Sequence, residues 1–155
     1  MGSAGPKASR AIAYLCPMPR ILAIDYGLKR TGIAVTDPFK IIATALTTIE
    51  SSSLMAFLKS YFQAEDVELI LVGEPLNLDG SHTHATEPVR RIIERIRKEF
   101  PGKPVQTVDE RYTSKMASQA MIDMGLGQKK RREKGLVDQI AATIMLQEYL
   151  RGFDR

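Results

Sequence analysis

Carboxylates recur in this chain where its apolar runs break off, and those positions are the first sign of chemistry. Asp25 ends the run ILAID, Glu74 follows ELILVG, Asp109 and Glu110 follow PVQTV, and Asp138 stands in the first turn of the C-terminal helical pattern. A carboxylate at the end of a buried strand is held by sheet backbone and remains reachable, which suits a functional acid. Acids that converge repel one another and raise each other's pKa values unless a cation neutralises them. An all-oxygen donor set suits a hard ion, so the implied cofactor is Mg2+ or Mn2+. One or two such ions, about 4 Å apart, can activate a water and stabilise the leaving oxygen of a phosphodiester. Strand-end acids also cap turns, so spacing alone leaves Asp25 equally readable as a hairpin cap. Strand alternation points Asp109 away from Glu110, which makes Asp109 the structural member of that pair.

The elements that must position these acids follow from the apolar pattern. Ile21 to Asp25 reads as a strand, a turn at Gly27 follows, and Thr31 to Thr36 reads as a second strand. Asp37 and Pro38 turn the chain into a third strand, Ile41 to Ile49, and the short links imply an antiparallel meander. Ser51, Ser52 and Ser53 offer capping hydroxyls to a helix whose apolar face is Leu54, Phe57, Leu58, Tyr61 and Phe62. Glu68 to Gly73 is apolar enough for a central strand and ends in the loop GEPLNLDGSHTH. Thr86 and Pro88 open a second helix with Val89, Ile92, Ile93, Ile96 and Phe100 inward, and Pro101 and Gly102 stop it.

Pro104 to Val108 forms a short fifth strand. Thr113 or Ser114 caps a third helix carrying Met116, Ala117, Ala120, Met121 and Met124, which Gly125 closes. GLGQKKRREKG reads as a basic loop, and a last helix runs from about Leu136 to Leu150. This succession predicts an α/β fold: a five-stranded mixed sheet, an antiparallel three-strand meander plus two parallel strands, flanked by helices. Right-handed crossovers bring the carboxyl ends of the parallel strands to the edge that holds Asp25. Ala141 and Ala142 lie three and four residues beyond Asp138, and their small side chains let that helix approach the sheet closely.

With 155 residues and 44% hydrophobic residues the chain fits one core rather than two. Its +4 formal charge permits a polyanionic partner without demanding one. Cys16, the one cysteine, has no partner for an intramolecular disulfide, and no apolar run reaches membrane-spanning length, so a reducing cytoplasm is expected. Residues 1–17 differ from the rest and read as a flexible extension; MGS resembles an expression-vector remnant and Met18 an alternative start, which leaves residues 18–155 as a single domain. His82 and His84 lack a third ligand for zinc, and neither stands in a nucleophilic triad context.

Taken together and in order, IDYGLKRTGIAVTD, VGEPLNLDG, VDERYTS and KGLVDQIAATIML resemble the YqgF family, also called RuvX, the pre-16S rRNA nucleases of the ribonuclease H-like superfamily. The resemblance runs from Met18 to about Tyr149. It implies a ribonuclease H-like fold, a Mg2+- or Mn2+-dependent phosphodiesterase, and maturation of the 5′ end of 16S ribosomal RNA in bacterial cytoplasm. By matching positions it implies Asp25 as the first catalytic acid, Glu110 as the second and Asp138 as the third. Glu74 departs from the family pattern, which has an apolar residue there. RuvC-type Holliday-junction resolvases carry a catalytic glutamate at the end of this strand, so Glu74 is a candidate auxiliary metal ligand, with a solvated loop acid as the equal alternative.

Lys29, Arg30, Arg111, Lys129, Lys130, Arg131, Arg132 and Lys134 are candidate contacts to a phosphate backbone. The expected partner is structured RNA, pre-16S rRNA in particular, or branched DNA, with ribosome-assembly or transcription proteins as further partners and monomer or homodimer both open. Two rivals stand beside a nuclease. DYGLKRTG is also similar to the first phosphate loop of the actin, hexokinase and heat-shock chaperone ATPases, which need two such domains to enclose ATP. A non-catalytic module that binds RNA or its protein partners is the other.

Overall fold

The computed structural model describes residues 19–75, 79–109, 113–125, 127–131 and 133–153. Three strands come first: β1 (Arg20–Tyr26), β2 (Arg30–Thr36) and β3 (Ala43–Glu50). A 3-10 turn, Ser51–Ser53, leads into α1 (Leu54–Ala64), followed by β4 (Val67–Glu74), α2 (Thr86–Glu99) and β5 (Val105–Asp109). The chain closes with α3 (Thr113–Asp123), the short α4 (Gln128–Arg131) and α5 (Lys134–Phe153). The sheet order is β3-β2-β1-β4-β5. β1 pairs antiparallel with β2, and β2 with β3, whereas β4 runs parallel to both β1 and β5. This is the mixed sheet that the strand lengths and link lengths require.

Alternation along the strands divides the core into two layers. Leu22, Ile24, Ile33, Val35, Ile70 and Val72 face α1 and α2, where Leu54, Leu58, Val89, Ile93 and Ile96 complete a layer of branched side chains. Ile21, Ala23, Ala34, Ala43 and Leu71 face the other way, against Ala142, Met145 and Leu146 of α5. Phe62, in the last turn of α1, packs edge-on against Phe100 just past α2, with ring centroids 5.0 Å apart.

Several details differ from the sequence pattern. The serines do not cap α1: no side-chain cap hydrogen bond is made at Ser53, and the Ser51 hydroxyl donates instead to the Gly27 carbonyl across the fold. The segment expected as a basic loop contains helix α4, because Gln128 to Arg131 are all good helix formers without a β-branched or proline residue among them. Helix α5 begins at Lys134 rather than Leu136, since the Glu133 carbonyl already accepts bonds from the Leu136 and Val137 N–H groups. Asp138 therefore stands in the second turn of its helix. Gly125, at φ 72°, ends α3 in the left-handed conformation that glycine adopts freely.

Candidate active site at the β1 edge

Asp25 belongs to the α5 side of the sheet, because Ile21 and Ala23 pack there while Leu22 and Ile24 face α1 and α2. Across the antiparallel pair its partner is Gly32 of β2. A Cβ added at Gly32 would lie 2.1 Å from the backbone oxygen of Asp138, 2.3 Å from its carbonyl carbon and 2.9 Å from the Gln139 nitrogen. No side chain fits in that space. The glycine thus lets the backbone of α5 rest on β2, and it sets Asp138 beside the strand position that carries Asp25. A second contact fixes the start of the helix: the Thr48 hydroxyl donates to the Gly135 carbonyl at 2.6 Å.

The turn beyond Asp25 is pinned as firmly. The Gly27 N–H donates to the Arg30 carbonyl at 2.9 Å, and a Cβ on Gly27 would stand 2.5 Å from that same oxygen. Ser51 then ties the turn to the end of β3. Its N–H donates to the Lys29 carbonyl at 3.0 Å, and its hydroxyl, which donates to the Gly27 carbonyl, also lies 2.8 Å from the buried Thr31 hydroxyl. Lys29 is exposed at the tip. Arg30 is turned inward: its Nε lies 3.6 Å from Asp138 Oδ2. That ion pair joins the hairpin to the helix.

Glu74 is placed elsewhere. It ends β4 within the strand rather than following it, and shares alternation with Ile70 and Val72 on the α1 and α2 side. There its Oε1 accepts from Arg90 Nε at 2.9 Å and Nη2 at 2.7 Å. The sheet itself separates this carboxylate from Asp25. Asp109 is the register partner of Glu74 and has the same alternation as Val105, so it too belongs to the α2 side.

Glu110, Arg111 and Arg132 lie outside the described residues, as does the 1–17 extension. Lys129, Lys130 and Arg131 lie in α4, and Lys134 opens α5, so these cations immediately precede Asp138 along the chain. Among the described residues no group of three or more His, Cys, Asp or Glu side chains could hold a metal ion. What the structure brings together is the pair Asp25 and Asp138, with Arg30 against the second.

Asp37 shows what a turn cap looks like in the same molecule. At the opposite end of the sheet its carboxylate accepts from the N–H groups of Ile42 and Ile41 at 2.7 Å each and of Phe39 at 3.1 Å. These bonds, the Ile42 N–H above all, hold its carboxyl below the ordinary value despite some desolvation. At that end also lies a cavity of about 650 Å³, lined by Ile21, Phe39, Ile41 and Leu150 with Lys40 and Glu68 paired at its rim. It is far from Asp25 along β1 and mostly apolar, so this hollow and the acid pair are separate features.

Sequence reasoning passed over Gly32, Thr48 and the role of Ser51. Gly32 did carry a signal: an isolated glycine within a strand marks a close backbone approach. Ser51 and Thr48 carried none, because their partners lie far along the chain.

A five-stranded sheet of this order, with an acid at the tip of its first strand and a C-terminal helix laid across its meander, is a ribonuclease H-like fold. Thermus thermophilus RuvC in complex with a Holliday junction substrate has the same fold, with a TM-score of 0.54, 16% sequence identity, and coverage of 88% of this chain and 96% of that one. The chain belongs to the RuvX family: the family model described as "RuvX: Holliday junction resolvase" matches residues 19–152. Among its relatives, proteins named "Putative pre-16S rRNA nuclease" from Flavobacterium psychrophilum and Christiangramia forsetii are 54% and 53% identical over 133 residues. These alignments cover 86% of this chain and 97% and 98% of the relatives. The protein of that name from Porphyromonas gingivalis is 45% identical over 138 residues and is covered completely.

Proposed function

We propose that this protein is a divalent-metal-dependent nuclease that hydrolyses phosphodiester bonds and processes the 5′ end of pre-16S rRNA in the bacterial cytoplasm. The observation that carries the reading is the seat of α5 on Gly32, which sets Asp138 beside the strand position of Asp25. Two carboxylates held by backbone against the same strand pair form a hard-oxygen donor set, and their juxtaposition calls for positive charge. Asp25, Asp138 and Glu110 would hold Mg2+ or Mn2+. When bound, such an ion lowers the pKa of a water and stabilises the leaving oxygen. The protein's own share is orientation: β1 fixes Asp25, and the α5 backbone on β2 fixes Asp138. Glu74 is left out of this set by its pairing with Arg90 on the other face.

Lys29, Arg111, Lys129, Lys130, Arg131, Arg132 and Lys134 are assigned to the phosphate backbone of the substrate, around the acids rather than among them. The names of the relatives favour RNA as that substrate. A second reading, cleavage of branched DNA, is favoured by the description of the family itself.

The test is cleavage of pre-16S RNA and of a four-way DNA junction by one preparation, with Mg2+, with Mn2+ and with chelator. Metal-dependent cutting of the RNA is expected. Asp25→Asn should lower it by more than about a hundredfold with the fold intact, because even residues that merely orient a metal ligand are worth roughly 10–100-fold. Preferential cutting of the junction would select the second reading. Binding of either substrate without cutting would make the domain a binding module.

A further inference from the structure

Arg30 shares the α5 side of β2 with Gly32 and Ala34, since residues of one parity along a strand face one way. Its guanidinium therefore enters the space between the hairpin and α5. There its Nε lies 3.6 Å from Asp138 Oδ2, within ion-pair distance but beyond a hydrogen bond. That Nε is also buried, with no hydrogen-bond partner among the described residues. A desolvated donor left unsatisfied is costly and persists where something offsets it. What lies against it is negative charge, the Asp138 carboxylate, and Asp25 stands on the neighbouring strand opposite Gly32. The rest of the side chain is partly open, 41% exposed, so it is the buried Nε in particular that faces Asp138.

We propose that Arg30 is a built-in counter-ion for the acid pair. In the metal-free protein it supplies the positive charge that a divalent ion would bring, and cation binding at Asp138 displaces the guanidinium. Arg30 is thus a positioning residue that keeps Asp138 against the sheet without metal and tunes how readily metal enters. This rests on the reading that Asp25 and Asp138 are cation ligands. A monovalent and a divalent cation competing for one carboxylate oppose each other strongly at short range, even at the effective dielectric constant of about 20 usual near protein surfaces.

The experiment is titration of the substrate-free protein with Mn2+ by calorimetry. Arg30→Gln should bind Mn2+ about tenfold more tightly than the wild type, because a competing charge is gone. Arg30→Lys, which keeps the charge, should stay within about threefold of wild type. Arg95→Gln removes a cation from the outer face of α2 and should leave the affinity unchanged, which separates a local effect from net charge. If Arg30→Gln loses its native circular dichroism, Arg30→Met keeps the aliphatic stem and makes the same comparison. Wild-type binding that depends on Asp138 but is equal or weaker in Arg30→Gln would overturn the counter-ion alone. Wild-type protein that binds no Mn2+, or binds it unchanged as Asp138→Asn, would overturn the acid site and the counter-ion together.

Discussion

The two faces of the sheet are built to opposite specifications. Towards α1 and α2 the strands present Leu22, Ile24, Ile33, Val35, Ile70 and Val72, and the helices answer with Leu54, Leu58, Val89 and Ile96. Towards α5 they present Ala23, Ala34, Ala43 and Gly32 beside the larger Ile21 and Leu71, and the helix answers with Ala142 beside Met145 and Leu146. The first face supplies apolar mass, from which most of the folding free energy derives. The second gives up part of that mass for proximity around Gly32, and it is where Asp25, Arg30 and Asp138 gather. Bulky side chains hold a helix farther from its packing partner. Small residues remove that gap.

Cutting into the bulky face should therefore cost stability and leave the chemistry alone. Leu58 is fully buried in the α1 layer. Leu58→Ala is expected to destabilise the fold by about 2–5 kcal/mol, as cavity-forming substitutions do. Denaturant unfolding would measure this loss, and cleavage per folded molecule should match wild type. A fall in specific activity would show that the two faces are coupled.

Filling the thin face should do the reverse. Gly32→Ala puts a methyl group 2.1 Å from the Asp138 carbonyl oxygen, so α5 has to lift. Overpacking of this kind costs about 1–3 kcal/mol. Its effect on cleavage should be larger than that stability loss implies, on the order of a hundredfold, because displacement of a catalytic group by about 1 Å suffices for that. Unfolding and single-turnover cleavage on the same sample separate the two effects. Full activity in Gly32→Ala would mean that the position of Asp138 is not what the site depends on.

This contrast also explains what could be read before the structure. The bulky face was legible because its periodicity is local: Leu54, Leu58 and Tyr61, or Val89, Ile92, Ile93 and Ile96, announce a helix face within one segment. The strand-end placement of Asp25 was legible for the same reason. The close approach of α5 was legible in Ala141 and Ala142, but its seat on Gly32 was not, because Gly32 and Asp138 are remote in sequence, and a lone glycine in RTGIAVT signals a close approach without naming what approaches. Ser51 misled outright. A serine before a helix is usually a cap that accepts from the helix N–H groups, but here the Ser51 hydroxyl is turned to the distant Gly27 carbonyl, to which it donates. The side of the sheet taken by Glu74 was open to reading, since it shares parity with Ile70 and Val72; what drew it towards the acids was its place at the strand end.

Glu74 provides the smallest effect and the finest test of the contrast. Its carboxylate is bound through one oxygen by two nitrogens of Arg90, an interaction that is partly solvated on the arginine side. Ion pairs of that exposure contribute about 0–1 kcal/mol. Glutamine keeps an acceptor oxygen for Arg90, so Glu74→Gln should cost less than about 1 kcal/mol in unfolding. Because the sheet lies between Glu74 and Asp25, cleavage should stay within about fivefold of wild type, the rate equivalent of that energy. The informative measurement is the metal dependence of cleavage in Glu74→Gln beside that in Asp25→Asn. If the first variant requires as much additional Mg2+ as the second, the glutamate reaches round the end of β4 to the metal, and the division of labour between the two faces fails at the one place where both faces end.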